Sequence, residues 1–181
     1  MVFYTLAKLI IINLRSGNIS DWQIASNSEL FCIGAFATAQ VYDDEFGQRI
    51  EHHKTRRPKH WQTVEAPFNL ANTLQMVAKE SECLIVDCLT LWLAQCICPD
   101  CAPPEGVDWA QERIALLEAL PNLQGTIILV SNEVGMGIVP LGAINRQFQD
   151  EQGRLNQAVA KISNKVSFIA AGLPIQLKGQ N

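Results

Sequence analysis

Long apolar runs, internal repeats and low-complexity segments are missing from this chain, and histidine is scarce. The apolar opening, Met1 to Ile12, is interrupted by Thr5 and Lys8. It is too short to span a bilayer and has no small-residue cleavage site, so it reads as a buried first strand of a cytoplasmic protein without a membrane span. The excess of positive charge typical of nucleic-acid binders is absent too: the net charge is −4. Nor are aromatics interleaved with the basic residues, so no nucleic-acid partner is expected. With no export signal, the six cysteines are expected as thiols in a reducing compartment. Cys96, Cys98 and Cys101 lie close enough to suggest zinc, but a structural site needs four ligands and no fourth is obvious nearby. The alternative is a Pro-rich loop whose thiols are incidental.

What is present describes one globular domain over residues 1–181. Hydrophobic residues make up 48% and charged residues 18% of the chain, enough to bury a core and too apolar for disorder. Short apolar runs alternate with amphipathic ones. Strands are expected at Phe3–Ile12, Leu30–Ala37, Cys83–Asp87, Thr126–Ser131 and Val166–Ala171. Helices are expected at Ser20–Ser28, Asp43–Thr55, Leu70–Glu80, Leu89–Gln95, Asp108–Leu120 and Leu141–Ser163. Strands such as Leu84-Ile85-Val86, apolar throughout and separated by helices, predict an α/β domain with a mostly parallel sheet covered on both faces. In such a sheet a ligand sits beyond the carboxyl ends of the strands. The loops after Ile12, Ala37, Asp87 and Ser131 are therefore expected to meet at one crevice.

The three histidines, His52, His53 and His60, all fall within one basic dozen, Arg49-Ile50-Glu51-His52-His53-Lys54-Thr55-Arg56-Arg57-Pro58-Lys59-His60. Imidazole is nucleophilic near neutral pH, and Lys and Arg hold polyphosphate. The segment is either a site for attack on phosphorus or a solvated basic helix end. Asp43, Asp44 and Glu45, at the expected helix start, either cap it or contact metal. Asp87 ends an apolar strand, where it either caps the next helix or contacts Mg²⁺. Asn132-Glu133-Val134-Gly135-Met136-Gly137 follows a strand as a close-approach loop in which Glu133 is a candidate base or substrate contact. Arg146 and Arg154 face a phosphate, a neighbouring subunit or solvent.

Four ordered blocks carry a resemblance: Thr38 to Glu65, Leu84 to Leu93, Val130 to Pro140, and Gly153-Arg154-Leu155-Asn156-Gln157. Together they resemble the bifunctional adenosylcobinamide kinase / adenosylcobinamide-phosphate guanylyltransferase family of cobalamin biosynthesis, almost continuously over residues 38–181. The resemblance implies a P-loop NTPase-like (RecA-like) fold and a homotrimer whose subunit interfaces help form the sites. It implies ATP and GTP as substrates, Mg²⁺ as cofactor, and adenosylcobinamide and its phosphate as acceptors. His53 would carry GMP as a covalent phosphoramidate, with His52 the less favoured candidate and His60 structural. Ala37, Thr38, Ala39, Lys54, Thr55, Arg56, Arg57, Glu65 and Asp87 would bind nucleotide, Asp87 also holding the metal.

The chain departs from this family at the phosphate-binding loop. Where the family reads Gly-Gly-Ala-Arg-Ser-Gly-Lys-Ser, this chain reads Ile12-Asn13-Leu14-Arg15-Ser16-Gly17-Asn18-Ile19. Arg15, Ser16 and Gly17 match, and with Asn18 they are the expected remainder of the phosphate cradle. The opening glycines, the charge-neutralising lysine and the Mg²⁺-binding hydroxyl are replaced. Either this copy has lost nucleotide turnover or the first thirty-odd residues carry a frame or sequence error. An alternative function follows from the first case: an impaired homologue acting as a nucleotide- or corrinoid-binding or inactive subunit.

Overall fold

A computed structural model describes residues 8–14, 32–37, 48, 61–79, 83–98, 101, 106–139 and 141–179. Seven strands form a single sheet: β1 (Lys8–Leu14), β2 (Cys32–Ala37), β3 (Thr63–Glu65), β4 (Cys83–Asp87), β5 (Thr126–Asn132), β6 (Lys165–Ala170) and β7 (Leu173–Lys178), in the order β3-β2-β4-β5-β1-β6-β7. Four helices are described: α1 (Leu70–Val77), α2 (Leu89–Ile97), α3 (Trp109–Ala119) and α4 (Ala143–Ile162).

The α/β class and the parallel sheet at its centre are as expected. The pairs β3–β2, β2–β4 and β4–β5 are parallel, and β4 spans the residues expected of it. The other half of the sheet is antiparallel, in contrast to the mostly parallel reading. β1 runs antiparallel to both β5 and β6, and β6 turns back into β7. For β7 the reason is local. Ala171 and Gly172, the two residues between the paired Ala170 and Leu173, have φ of 51° and 77°. Two consecutive positive φ values make the type I′ turn whose twist suits an antiparallel hairpin.

The boundaries of β1 also differ from expectation. Ile12 and Asn13 are not loop residues: Ile12 pairs with Ile128 on one side and Lys165 on the other, and Asn13 pairs with Ile127. With no glycine to turn the backbone aside, β-branched Ile10-Ile11-Ile12 keeps the chain extended through Leu14.

The described helices share one core on one face of the sheet. Leu70 and Leu74 of α1, Leu89 and Trp92 of α2, Leu116 of α3, and Leu155 and Val159 of α4 are all buried there. They pack with Leu84 and Val86 of β4 and Ile127 and Leu129 of β5. The helices also touch one another, α1 on α3, α3 on α4 and α2 on α4. The helices expected at 20–28 and 43–55, which would supply a second layer, lie outside the described residues apart from helical Gln48.

Side chains set the helix starts and the links between helices. Asp108 caps α3, its Oδ1 accepting from the Ala110 and Gln111 amides at 2.9 and 3.2 Å. The Asn69 amide at the start of α1 donates to Glu112 of α3 at 3.0 Å. Fully buried Trp92 meets Trp109 edge-on, with ring centroids 5.1 Å apart at 67°. The Trp109 indole N–H donates to Glu151 of α4 at 2.7 Å.

The cysteines depart from the expectation of thiols throughout. Cys98 and Cys101 form a disulfide at the end of α2, with Cα atoms 5.2 Å apart. That pairing removes two of the three ligands a Cys96–Cys98–Cys101 zinc site would need. Burial, with a lesser contribution from the Glu112 charge, pushes the Cys96 thiol up to about 12, so it stays protonated.

Candidate functional site at the carboxyl edge of the parallel strands

Strand register brings three of the expected residues to one level. Ala37, the last residue of β2, pairs with Glu65 on one side and Asp87 on the other, and Asp87 pairs with Val130. Because β2 to β5 are parallel, all four positions lie at the carboxyl edge, the end where such sheets place ligands. Cross-strand partners in register project to the same face. Leu84 and Val86 face the helical core, so alternation turns Asp87 to the opposite face, and Glu65 with it. At about 4.8 Å per strand, the two carboxylate-bearing residues are roughly 10 Å apart. Glu65 is exposed and Asp87 half-buried. Asp87 is not the N-cap of α2: Cys88 holds that position, and it makes no side-chain cap bond.

β1 runs against the strands that form this edge. The antiparallel β1 begins beside it and ends remote from it, since Lys8 pairs with Asn132 and Leu14 with Thr126. Four residues of β5 separate Thr126 from Val130, about 13 Å of strand. Leu14, the last residue of β1, therefore lies at the far end, because an antiparallel strand finishes where its parallel neighbours begin. The loop expected to follow β1 and to converge with the others lies outside the described residues. Arg15, Ser16, Gly17 and Asn18 themselves lie outside the described residues. So do Thr38, Ala39, Asp43, Asp44, Glu45, His52, His53, Lys54, Thr55, Arg56, Arg57 and His60.

Beyond β5 the chain enters the Asn132–Gly137 loop. Here Glu133 has a definite structural task. Its Oε1 accepts from the Gly135 amide at 3.0 Å, capping the short 3-10 turn Val134–Met136, while Oε2 accepts from Asn156 Nδ2 at 3.3 Å. A Cβ at position 135 would meet Glu133 Oε1 at 2.9 Å, so a side chain there would press on this cap. Beneath the loop lies a polar cluster of Thr90, Ser131, Gln152 and Asn156, each buried and none more than 7% exposed. The sequence reading missed it. Its only linear trace is a Ser ending an apolar strand and a Gln/Asn pair four apart on one helix.

The arginines divide. Arg146 is exposed. Arg154 pairs with Glu151 of its own helix and also lines an open cleft of about 460 Å³ with Gly135, Val139, Asp150 and Gln157. Burial alone would raise the Glu151 carboxyl. The hydrogen bonds from Trp109 and Arg154 and the nearby Arg113 and Arg154 charges outweigh it, holding that carboxyl below its usual range. This ion cluster joins α3 to α4 and is structural.

Among the described residues, no helix is long and apolar enough to cross a membrane, and no cluster of three or more His, Cys, Asp or Glu is placed to hold a metal ion. Asp87 offers a carboxylate at the carboxyl edge, the donor type a hard cation such as Mg²⁺ takes together with phosphate oxygens.

An α/β domain with carboxylates at the carboxyl edge of its parallel strands has the arrangement of a nucleotide-handling enzyme. Comparison narrows the class. The model of the cobinamide kinase / cobinamide phosphate guanyltransferase family matches residues 21–177, and the chain belongs to this family. It is 46% identical over 172 residues, 95% of this chain and 97% of the relative, to the bifunctional adenosylcobalamin biosynthesis protein CobP of Pseudomonas aeruginosa. It is 32% identical over 151 residues, 78% of this chain and 83% of each relative, to the bifunctional adenosylcobalamin biosynthesis proteins CobU of Escherichia coli and Salmonella typhimurium. The family match begins at Asp21, beyond the altered residues 12–19.

Proposed function

We propose that this chain is a bifunctional enzyme of adenosylcobalamin biosynthesis that phosphorylates adenosylcobinamide and then transfers GMP to the product. The kinase step moves the γ-phosphoryl group of ATP or GTP to the aminopropanol hydroxyl. In the second step the neutral imidazole of His53 attacks the α-phosphorus of GTP, a histidine–phosphorus bond forms and pyrophosphate leaves. A phosphate oxygen of adenosylcobinamide phosphate then attacks the same phosphorus. It displaces His53 and yields adenosylcobinamide-GDP.

The observation that carries this reading is the line Glu65–Ala37–Asp87 at the carboxyl edge, within the residues the family model matches. Glu65 hydrogen-bonds the base or ribose of the guanine nucleotide. Lys54, Arg56 and Arg57 offset charge on the phosphates, and Thr55, Thr38 and Ala39 complete the nucleotide's surroundings. Asp87 holds Mg²⁺, which when bound neutralises charge developing on the transferred phosphoryl group. A homotrimer in the cytoplasm completes the proposal. It is supported by apolar side chains left in solvent: Ile138 is 98% and Leu141 94% exposed beside the Glu133 loop, and Leu173, Ile175 and Leu177 are exposed along edge strand β7. Such surface is usually covered by a partner.

The test is covalent labelling by GTP carrying a radioactive α-phosphate, in the presence of Mg²⁺. Acid-labile, base-stable label on the denatured chain is expected in the wild type and in His52→Ala, and is expected to vanish in His53→Ala. Absence of label from the wild-type chain, or label that persists in His53→Ala, would refute the reading.

A further inference from the structure

Asn156 of α4 uses every hydrogen bond its amide can make. Its Oδ1 accepts from the Ser131 hydroxyl at 2.7 Å and from Gln152 Nε2 at 2.9 Å. Its Nδ2 donates to the Asn132 carbonyl at 3.1 Å and to Glu133 Oε2 at 3.3 Å. Two accepted and two donated bonds saturate the group. One half of the amide thus faces inward to a closed cluster, where Gln152 also reaches Ser131 at 2.9 Å and Thr90 takes the Asn132 amide at 2.8 Å. The other half faces outward to the loop. Asn156 is 4% exposed and Gln152 is fully buried, so breaking these bonds leaves polar groups without water to replace them.

Such a cluster is more than the core needs for cohesion, because apolar side chains of similar volume would fill the space without the polar penalty. Its geometry has a direction: Thr90 and Asn156 reach Asn132, and Asn156 reaches Glu133, the residues that leave β5 near Asp87, while Ser131 and Gln152 hold Asn156 from behind. Asn156 orients the Glu133 carboxylate, which fixes the Gly135 amide. We propose that Asn156 is a positioning residue for the transfer reactions, holding the Glu133–Gly137 loop through Glu133 so that its backbone lies ready beside the carboxyl edge. This inference rests on the proposed nucleotide chemistry at that edge. It assigns to α4, which supplies none of the expected catalytic groups, the task of setting loop position.

The test reverses the polarity of one hydrogen bond. Asn156→Asp keeps the inward acceptor for Ser131 and Gln152 but sets a carboxylate against Glu133. Glu133→Gln keeps an acceptor for Gly135 but sets an amide donor against Asn156 Nδ2. The double variant restores the 133–156 donor–acceptor pair at unchanged net charge, the new amide at position 133 donating to the new carboxylate at position 156, while the bond to the Asn132 carbonyl stays lost. Two quantities are measured: hydrogen exchange at the Gly135 amide, and the rate and KM of GTP-dependent histidine labelling. Each single variant is expected to speed Gly135 exchange at least tenfold and lower the labelling rate about tenfold with little change in KM. The double variant is expected to recover part of both, less impaired than either single, the unrepaired remainder being the lost bond to the Asn132 carbonyl. If the double variant is as impaired as the two singles combined, Asn156 merely packs the core and the proposal fails. It fails equally if Gly135 exchange changes while labelling does not. A wild-type chain that takes no label would sink the nucleotide reading instead, and Gly135 exchange would still decide whether Asn156 holds the loop.

Discussion

Replacing Trp109 by Phe isolates one charge-assisted hydrogen bond in an otherwise retained contact. Phe keeps an aromatic edge against Trp92, so the edge-on pair, worth about 0.5–1.5 kcal/mol, largely survives. The indole N–H that reaches Glu151 at 2.7 Å is lost. Hydrogen bonds to charged groups contribute about 1.5–3 kcal/mol. Glu151 has a side chain only 15% exposed but retains Arg113 at 3.3 Å and Arg154, so the lower end applies. A loss of about 1–1.5 kcal/mol follows, or roughly 2–6 °C in Tm for a domain of this size. The pH dependence has a definite sign. The Glu151 carboxyl is held below its usual range in the folded chain. Its stabilisation is therefore fully present above the unfolded carboxylate value of about 4.3, and is lost as pH falls through the lower folded value. Urea denaturation of wild type, Trp109→Phe, Glu151→Gln and the double variant at pH 7 should give a coupling of about 1 kcal/mol. The coupling should shrink towards pH 3, where the carboxyl becomes neutral and its hydrogen bond weaker. A Trp109→Phe penalty that stays constant from pH 7 to pH 3, or that persists in Glu151→Gln, would refute the assignment.

Two further predictions concern elements outside the site. Ala171 holds a φ of 51° beside Gly172 at 77°, a conformation that Asn adopts more readily than Ala, so Ala171→Asn should stabilise the β6–β7 hairpin by about 0.5–1 kcal/mol. Thermal unfolding reads the gain directly, and an unchanged or lower Tm would contradict the turn assignment. The Cys98–Cys101 disulfide joins residues only three apart, and closing so short a loop contributes about 2 kcal/mol at most. Reduction with dithiothreitol, or Cys98→Ser, should therefore lower Tm by no more than roughly 8 °C. Loss of folding on reduction would mean that the disulfide supports more than its own turn.

The elements legible in the sequence were those whose burial is uniform. Cys83–Asp87 is apolar until its final carboxylate, and both its boundaries and its place at the carboxyl edge follow from that pattern. Asp108 likewise announces the start of α3, because a carboxylate before a helical run satisfies the first free amides. The sequence hid features that depend on which elements meet. Thr63–Glu65 is too short to show a period. In Leu173–Lys178 the alternation of Leu173, Ile175 and Leu177 is visible, but Pro174 demotes the run as a strand. Glu133 reads as a candidate base in sequence and turns out to brace its own loop. The partner responsible, Asn156, lies 23 residues away and is recognisable only once α4 is seen to cross the end of β5.

Strand direction was the least legible property, and it bears most on function. An apolar run such as Ile10-Ile11-Ile12 does not say whether its neighbour is parallel or antiparallel, since backbone pairing in either direction accepts the same side chains. Only the turn chemistry after the run decides where the chain must go next, and here the glycines that would release a phosphate-binding loop are replaced by Ile12 and Asn13, which remain paired in the sheet. Among the described residues, the carboxyl edge is formed by the ends of the parallel strands β2, β3, β4 and β5, where Glu65 and Asp87 lie. The chain leaves β1 at the opposite end of the sheet, about 13 Å away. The segment described as continuing past this edge is the Asn132–Gly137 loop, where Asn156 holds Glu133 and Glu133 holds the Gly135 amide, and its position depends on α4 crossing the end of β5 rather than on any signal within the loop itself.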